Sequence, residues 1–106
     1  MHQIRIHGRG GQGVVTAAEL IAMAAFFDGK MSQAFPYFGV ERTGAPIEAY
    51  ARVDDSPIRL REQVNEPDII IVQDPTLLDT IDIARGASQK TLVIINSSKN
   101  KNETGI

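Results

Sequence analysis

A chain of 106 residues suits one domain rather than two, and its 42% hydrophobic content is enough for a core. The formal charge of -2 and the pI near 5.6 argue against a nucleic-acid or acidic-membrane partner, which would want clustered Lys and Arg. With no cysteine, the chain has no disulfide, thiol nucleophile, thiolate-bound zinc or cysteine-held iron–sulfur cluster.

The chain opens on HQIRIH, which reads as a strand with Ile4 and Ile6 on one face and lacks the charged-then-apolar layout of a signal peptide. A glycine turn, Gly8 to Gly13, follows. Val14 to Phe27 has a helical pattern, and Asp28-Gly29-Lys30 stops it with glycine in the C-cap region. Glu19 is the only charge on that helix. A surface helix shows a broad polar face, so this one is expected to be buried between layers or covered by a partner. The longest apolar stretch, Leu20 to Phe27, is too short to span a bilayer, and the expected location is cytoplasmic with no membrane partner.

Met31 to Phe35 reads as a second strand, Pro36 to Pro46 as a loop and Ile47 to Val53 as an alternating strand. No helix fits between these strands, so if they are neighbours they should pair antiparallel. Asp54-Asp55-Ser56-Pro57 is a turn, and Arg59 to Asn65 is ambiguous. Ile69 to Val72 reads as a strand covered on both faces. Pro75 to Arg85 reads as a short helix with Asp74 as N-cap and Pro75 at its first position. Thr91 to Ile95 reads as another buried strand, and the tail from Lys99 to Ile106 is polar. The plan is α/β: a Rossmann-like, open, mostly parallel sheet with flanking helices and one antiparallel strand pair.

Gly8-x-Gly10-x-x-Gly13 matches the dinucleotide-binding fingerprint and sits between strand and helix as that fingerprint requires. Glycines permit a tight turn and close backbone approach, and the first helical turn offers unpaired N–H groups to an anion. Arg9 could add a charged clamp. A nicotinamide site wants a carboxylate after the second strand, roughly 20 residues on. Met31-Ser32-Gln33-Ala34-Phe35 supplies none. Anion contact by Gly8, Arg9, Gly10, Gly11, Gln12 and Gly13 and a purely structural turn both stay open. A free-standing nucleotide- or phosphate-binding Rossmann-like module is the alternative reading of the whole chain.

Gly8-Arg9-Gly10-Gly11-Gln12-Gly13-Val14 resembles the opening G-x-G-G-Q-G of the gamma subunit of pyruvate and related 2-oxoacid:ferredoxin oxidoreductases. Gln33 to Pro46 looks like that family's second block, FPxxGxERxGAP. Pro67-Asp68, Asp74-Pro75-Thr76-Leu77-Leu78 and Ile95-Asn96-Ser97-Ser98 resemble its later blocks. Residues 1–106 are thus expected to form a single gamma-type domain. It is expected to be incomplete at its C-terminal end, because family members continue well past Ser98.

The resemblance implies an assembly that converts a 2-oxoacid and coenzyme A to acyl-CoA and carbon dioxide and reduces ferredoxin. Alpha, beta and delta-type subunits would be the partners. No Gly-Asp-Gly segment is present to hold the magnesium of thiamine diphosphate. Thiamine diphosphate, magnesium and iron–sulfur clusters are therefore expected in sister subunits, none of them bound by this chain alone. No catalytic or metal-ligating residue is assigned, and the chain is expected to be inactive by itself, with a structural role and a contact to coenzyme A. Thr43-Gly44-Ala45-Pro46 leans towards the pyruvate and branched-chain members.

Phe35, Tyr37 and Phe38 put three of the six aromatics into one short stretch beside Arg42. Such clusters anchor interfaces, so Tyr37, Phe38, Glu41 and Arg42 are expected at a partner contact in preference to folding back on the chain's own core. His7 ends the first strand, where α/β folds place ligands, yet no nucleophile or carboxylate is assigned to it. A packing or hydrogen-bonding role is favoured over a catalytic one.

Overall fold

The computed structural model describes residues 1–9, 13–36, 46–59, 63–79 and 82–96. Strands β1 (His2–Arg9), β2 (Met31–Pro36), β3 (Pro46–Asp54), β4 (Ile69–Val72) and β5 (Leu92–Ile95) form one sheet in the order β2-β3-β1-β4-β5. β1 pairs parallel with β4, and β4 parallel with β5. The expected antiparallel pairing of β2 with β3 is present, and β3 also pairs antiparallel with β1. The α/β class read from the sequence holds. Among the described residues no helix is long and apolar enough to cross a membrane.

Helix α1 (Val14–Phe27) covers one face of the sheet. Ile4, Ile6, Ala49 and Ala51 meet Val14 and Ala18 there, with Ile69 and Ile71 alongside. The small side chains of Ala18, Ala49 and Ala51 let helix and sheet approach closely, and dense packing of this kind is what gives a core its cohesion. The helix begins at Gly13, whose φ of 74° is left-handed and favours glycine. It ends where the amides of Asp28, Gly29 and Lys30 fold back onto the carbonyls of Ala24, Ala25 and Phe26. The helix is expected to be buried between layers or covered by a partner. In this chain its outer face carries Leu20 and Met23 in the open, and Phe26 and Phe27 are 66% and 81% exposed.

The opposite face is covered by irregular chain. Val64, Leu77 and Ile83 lie over Arg5, His7, Tyr50, Arg52, Ile70 and Val72. The helix expected over Pro75 to Arg85 is a 3-10 helix, Pro75–Asp79, followed by turn residues at 83–86. Its capping residue is as expected: Asp74 Oδ1 accepts from Thr76 N at 3.0 Å. Arg5 ties the turn at 83–86 to the sheet. Arg5 Nη2 donates to Ile83 O at 2.9 Å and to Arg85 O at 2.6 Å. Gly86 then turns the chain with φ 78°. The strand expected to be buried at Thr91 to Ile95 is an edge strand. Val93 and Ile95 pack under Leu77 and its neighbours, whereas Leu92 and Ile94 are exposed on the α1 side.

Candidate functional site

β1 and β4 are adjacent and parallel, but their continuations leave to opposite faces of the sheet. After β1 the chain runs into α1; after β4 it runs into the 3-10 helix on the other side. Such a switch point opens a crevice beyond the carboxyl ends of the two strands, and ligands of open α/β sheets bind there. At those carboxyl ends Gln73 N donates to His7 O at 2.8 Å, and Asn96 N donates to Val72 O at 2.9 Å.

Three residues of the predicted glycine turn are described. Gly8 is buried at the end of β1 opposite Ile47. Gly13 opens α1 with no side-chain cap, so no capping side chain takes up the first helical amides. Arg9 lies across the crevice mouth. Its Nε is 3.3 Å from Asp74 Oδ2, and its Nε and Nη2 donate to Thr76 Oγ1 at 3.1 and 3.0 Å. Thr76 Oγ1 in turn donates to Asp74 Oδ1 at 2.6 Å. Arg9 therefore clamps the two sides of the crevice together, and Asp74 balances its charge. Gly10, Gly11 and Gln12 lie outside the described residues, as do Tyr37, Phe38, Glu41 and Arg42.

Beneath the crevice, on the face away from α1, lies a polar network that the sequence reading touched only at His7. Arg5, His7 and Arg52 are all buried. Arg5 Nε donates to His7 Nε2 at 2.9 Å, and Arg5 also reaches the carbonyls of Val64, Ile83 and Arg85. The ring proton of His7 thus belongs on Nδ1, 3.8 Å from Glu48 Oε1. Burial pushes the imidazole down to about 4; Glu48 opposes this, and Arg5 and Arg85 add to it. Burial works against the Glu48 carboxylate as well. The hydroxyl of Tyr50 at 2.6 Å, His7, and Arg85 at 3.2 Å outweigh it and hold Glu48 below its ordinary value. Burial and Glu48 push the Tyr50 hydroxyl up. Arg52 donates to Gln3 Oε1, Gln33 Oε1 and Gln63 O and stacks over Phe35. His7 is thus a neutral, hydrogen-bonded imidazole sealed inside the sheet, in line with the packing role favoured above.

A family model for pyruvate ferredoxin/flavodoxin oxidoreductase matches residues 3–105. The chain is 60% identical over 100 residues to pyruvate synthase subunit PorC of Methanosarcina barkeri, covering 94% of this chain and 55% of that protein. It is 56% identical over 103 residues to the common subunit gamma of the pyruvate/ketoisovalerate oxidoreductases of Thermococcus litoralis, covering 97% and 56%. The crystal structure of a pyruvate oxidoreductase subunit from Thermotoga maritima superposes with a TM-score of 0.84 at 40% identity, over 97% of this chain and 53% of that one. The chain spans about half the length of these relatives. Its match over residues 3–105, together with the shared fold, places the chain in the pyruvate ferredoxin/flavodoxin oxidoreductase family.

Proposed function

We propose that this chain is the gamma-type part of a multi-subunit 2-oxoacid:ferredoxin oxidoreductase of the cytoplasm, leaning towards pyruvate or a branched-chain 2-oxoacid. It contributes assembly surface and a contact to coenzyme A, while thiamine diphosphate, magnesium and the iron–sulfur clusters reside in alpha, beta and delta-type partners. The observation that carries this reading is the close similarity to gamma-type subunits across nearly the whole chain, in a sequence with no thiol to hold a cluster.

The crevice supports the coenzyme A contact. The uncapped start of α1 at Gly13 and the Arg9 guanidinium flank it, and such groups receive phosphates in α/β folds. Two features support assembly. One is the sequence cluster of Tyr37, Phe38, Glu41 and Arg42. The other is the outer face of α1, where Leu20, Met23 and Phe27 recur at helical spacing beside Phe26 with Glu19 as the single charge.

The test is co-expression with and without the sister subunits. The full set should reduce ferredoxin with pyruvate and coenzyme A, and this chain alone should not. Turnover by the purified chain, free of other subunits, would refute the division of labour.

A further inference from the structure

Thr16, Leu20, Met23 and Phe27 recur along α1 at alternating steps of four and three residues, and all four are exposed. That alternation is the seam along which one helix packs on another, its large side chains entering holes on the facing helix. Ala24 lies exposed beside Met23 and leaves room for an incoming side chain. Phe26 and Phe27 meet edge to face with their ring centroids 6.0 Å apart. The ring pair presents its apolar surface in a set shape, which lowers the ordering cost of docking.

The free charges along this seam are of one sign. Glu19 stands beside Leu20 and Asp28 follows Phe27, both exposed. Lys30, two residues further on, is paired with Asp55. A second copy of this chain laid on the seam would set acid against acid whichever way its helix ran, and like charges facing each other oppose association. An anionic membrane surface would be repelled as well, because interfacial helices surround their apolar face with Lys and Arg. The complementary chemistry is an apolar stripe edged with basic side chains.

We propose that the outer face of α1 seats an amphipathic helix of a sister subunit, its apolar stripe on Leu20, Met23 and Phe27 and its flanking Lys or Arg side chains against Glu19 and Asp28. The inference rests on the reading of this chain as a gamma-type subunit, and it adds the chemistry of the partner segment. Apolar contact supplies the hold, and the acidic flanks select the partner and speed the encounter.

Two measurements with the sister subunits test it. In the first, the double variant Glu19→Lys, Asp28→Lys reverses both flanks. Its association with the sister subunits should weaken about tenfold at low ionic strength, and the gap to the parent should narrow as salt is added. The melting temperature of the lone variant should match the parent, because both side chains face solvent, so a loss of association is not a loss of fold. In the second, a photo-crosslinking benzophenone side chain takes the place of Phe27 in the assembled oxidoreductase. The captured peptide should belong to a sister subunit and carry Lys or Arg beside apolar residues at helical spacing. Capture of a second copy of this chain, of a peptide without basic flanks, or of nothing would overturn the proposal. Should the parent bind the sister subunits and the charge-reversed variant bind within twofold of it, only this inference falls. A parent chain that does not bind them at all would bring down the gamma-type reading and this inference together.

Discussion

Arg5 Nε donates to His7 Nε2 at 2.9 Å inside the sheet, and this bond sets the tautomer of the histidine. An imidazole that accepts from a guanidinium is neutral, with its proton on Nδ1. Burial then keeps it neutral, with its pKa down to about 4 against an ordinary 6.5.

The sign of the pH dependence follows. The unfolded chain takes up a proton at His7 as pH falls through 6.5, while the folded chain resists until about 4. The stability due to neutral His7 is fully present above pH 6.5 and is lost between 6.5 and 4, by up to about 3 kcal/mol. Urea titrations across that range should show the loss, and His7→Gln should flatten it. A variant as pH-sensitive as the parent would show that another group controls the acid response.

Arg5 holds the irregular segments onto the sheet. Replacing it with Met would leave the buried carbonyls of Val64, Ile83 and Arg85 without this donor, at a cost of about 3–5 kcal/mol. Arg5→Lys should lose nearly as much, since one ammonium cannot reproduce the guanidinium fork. Chemical denaturation measures both. A loss under 1 kcal/mol for Arg5→Met would mean that apolar packing, rather than the guanidinium, holds these segments.

Two glycines with left-handed φ should respond differently to alanine. At Gly86 a Cβ would lie 1.8 Å from Asn65 O, a backbone atom that cannot swing away. At Gly29 it would meet nothing within 4 Å. Gly29→Ala should cost about 1 kcal/mol from backbone strain alone, and Gly86→Ala at least about 3 kcal/mol. Equal melting temperatures for the two variants would contradict this account of the turn at 83–86.

On α1, Leu20→Ser and Phe27→Ser should leave the lone chain's stability within about 0.5 kcal/mol, because both side chains already face solvent. Thermal unfolding of the isolated chain checks this. A large drop would place the two side chains in the chain's own core.

Much of this architecture is legible in the residues, and the buried polar face is not. Val14 to Phe27 has no Gly or Pro and is followed by Gly29, so α1 could be placed to the residue. In β3, Glu48, Tyr50 and Arg52 alternate with Ile47, Ala49 and Ala51, which ordinarily marks a solvated face. Here that face is buried, because Arg5 and Arg52 bond loop carbonyls that no local pattern links to them.

The central claim is that this chain acts as a gamma-type subunit, and reconstitution tests it most directly. Sister subunits should be purified with the parent chain or with the Leu20→Ser, Phe27→Ser double variant, and pyruvate- and coenzyme A-dependent ferredoxin reduction measured in each. The parent should co-purify with its partners and support turnover, and the double variant should associate more weakly by about 2 kcal/mol or more while remaining folded. Sister subunits that assemble and turn over equally well without this chain would contradict the account.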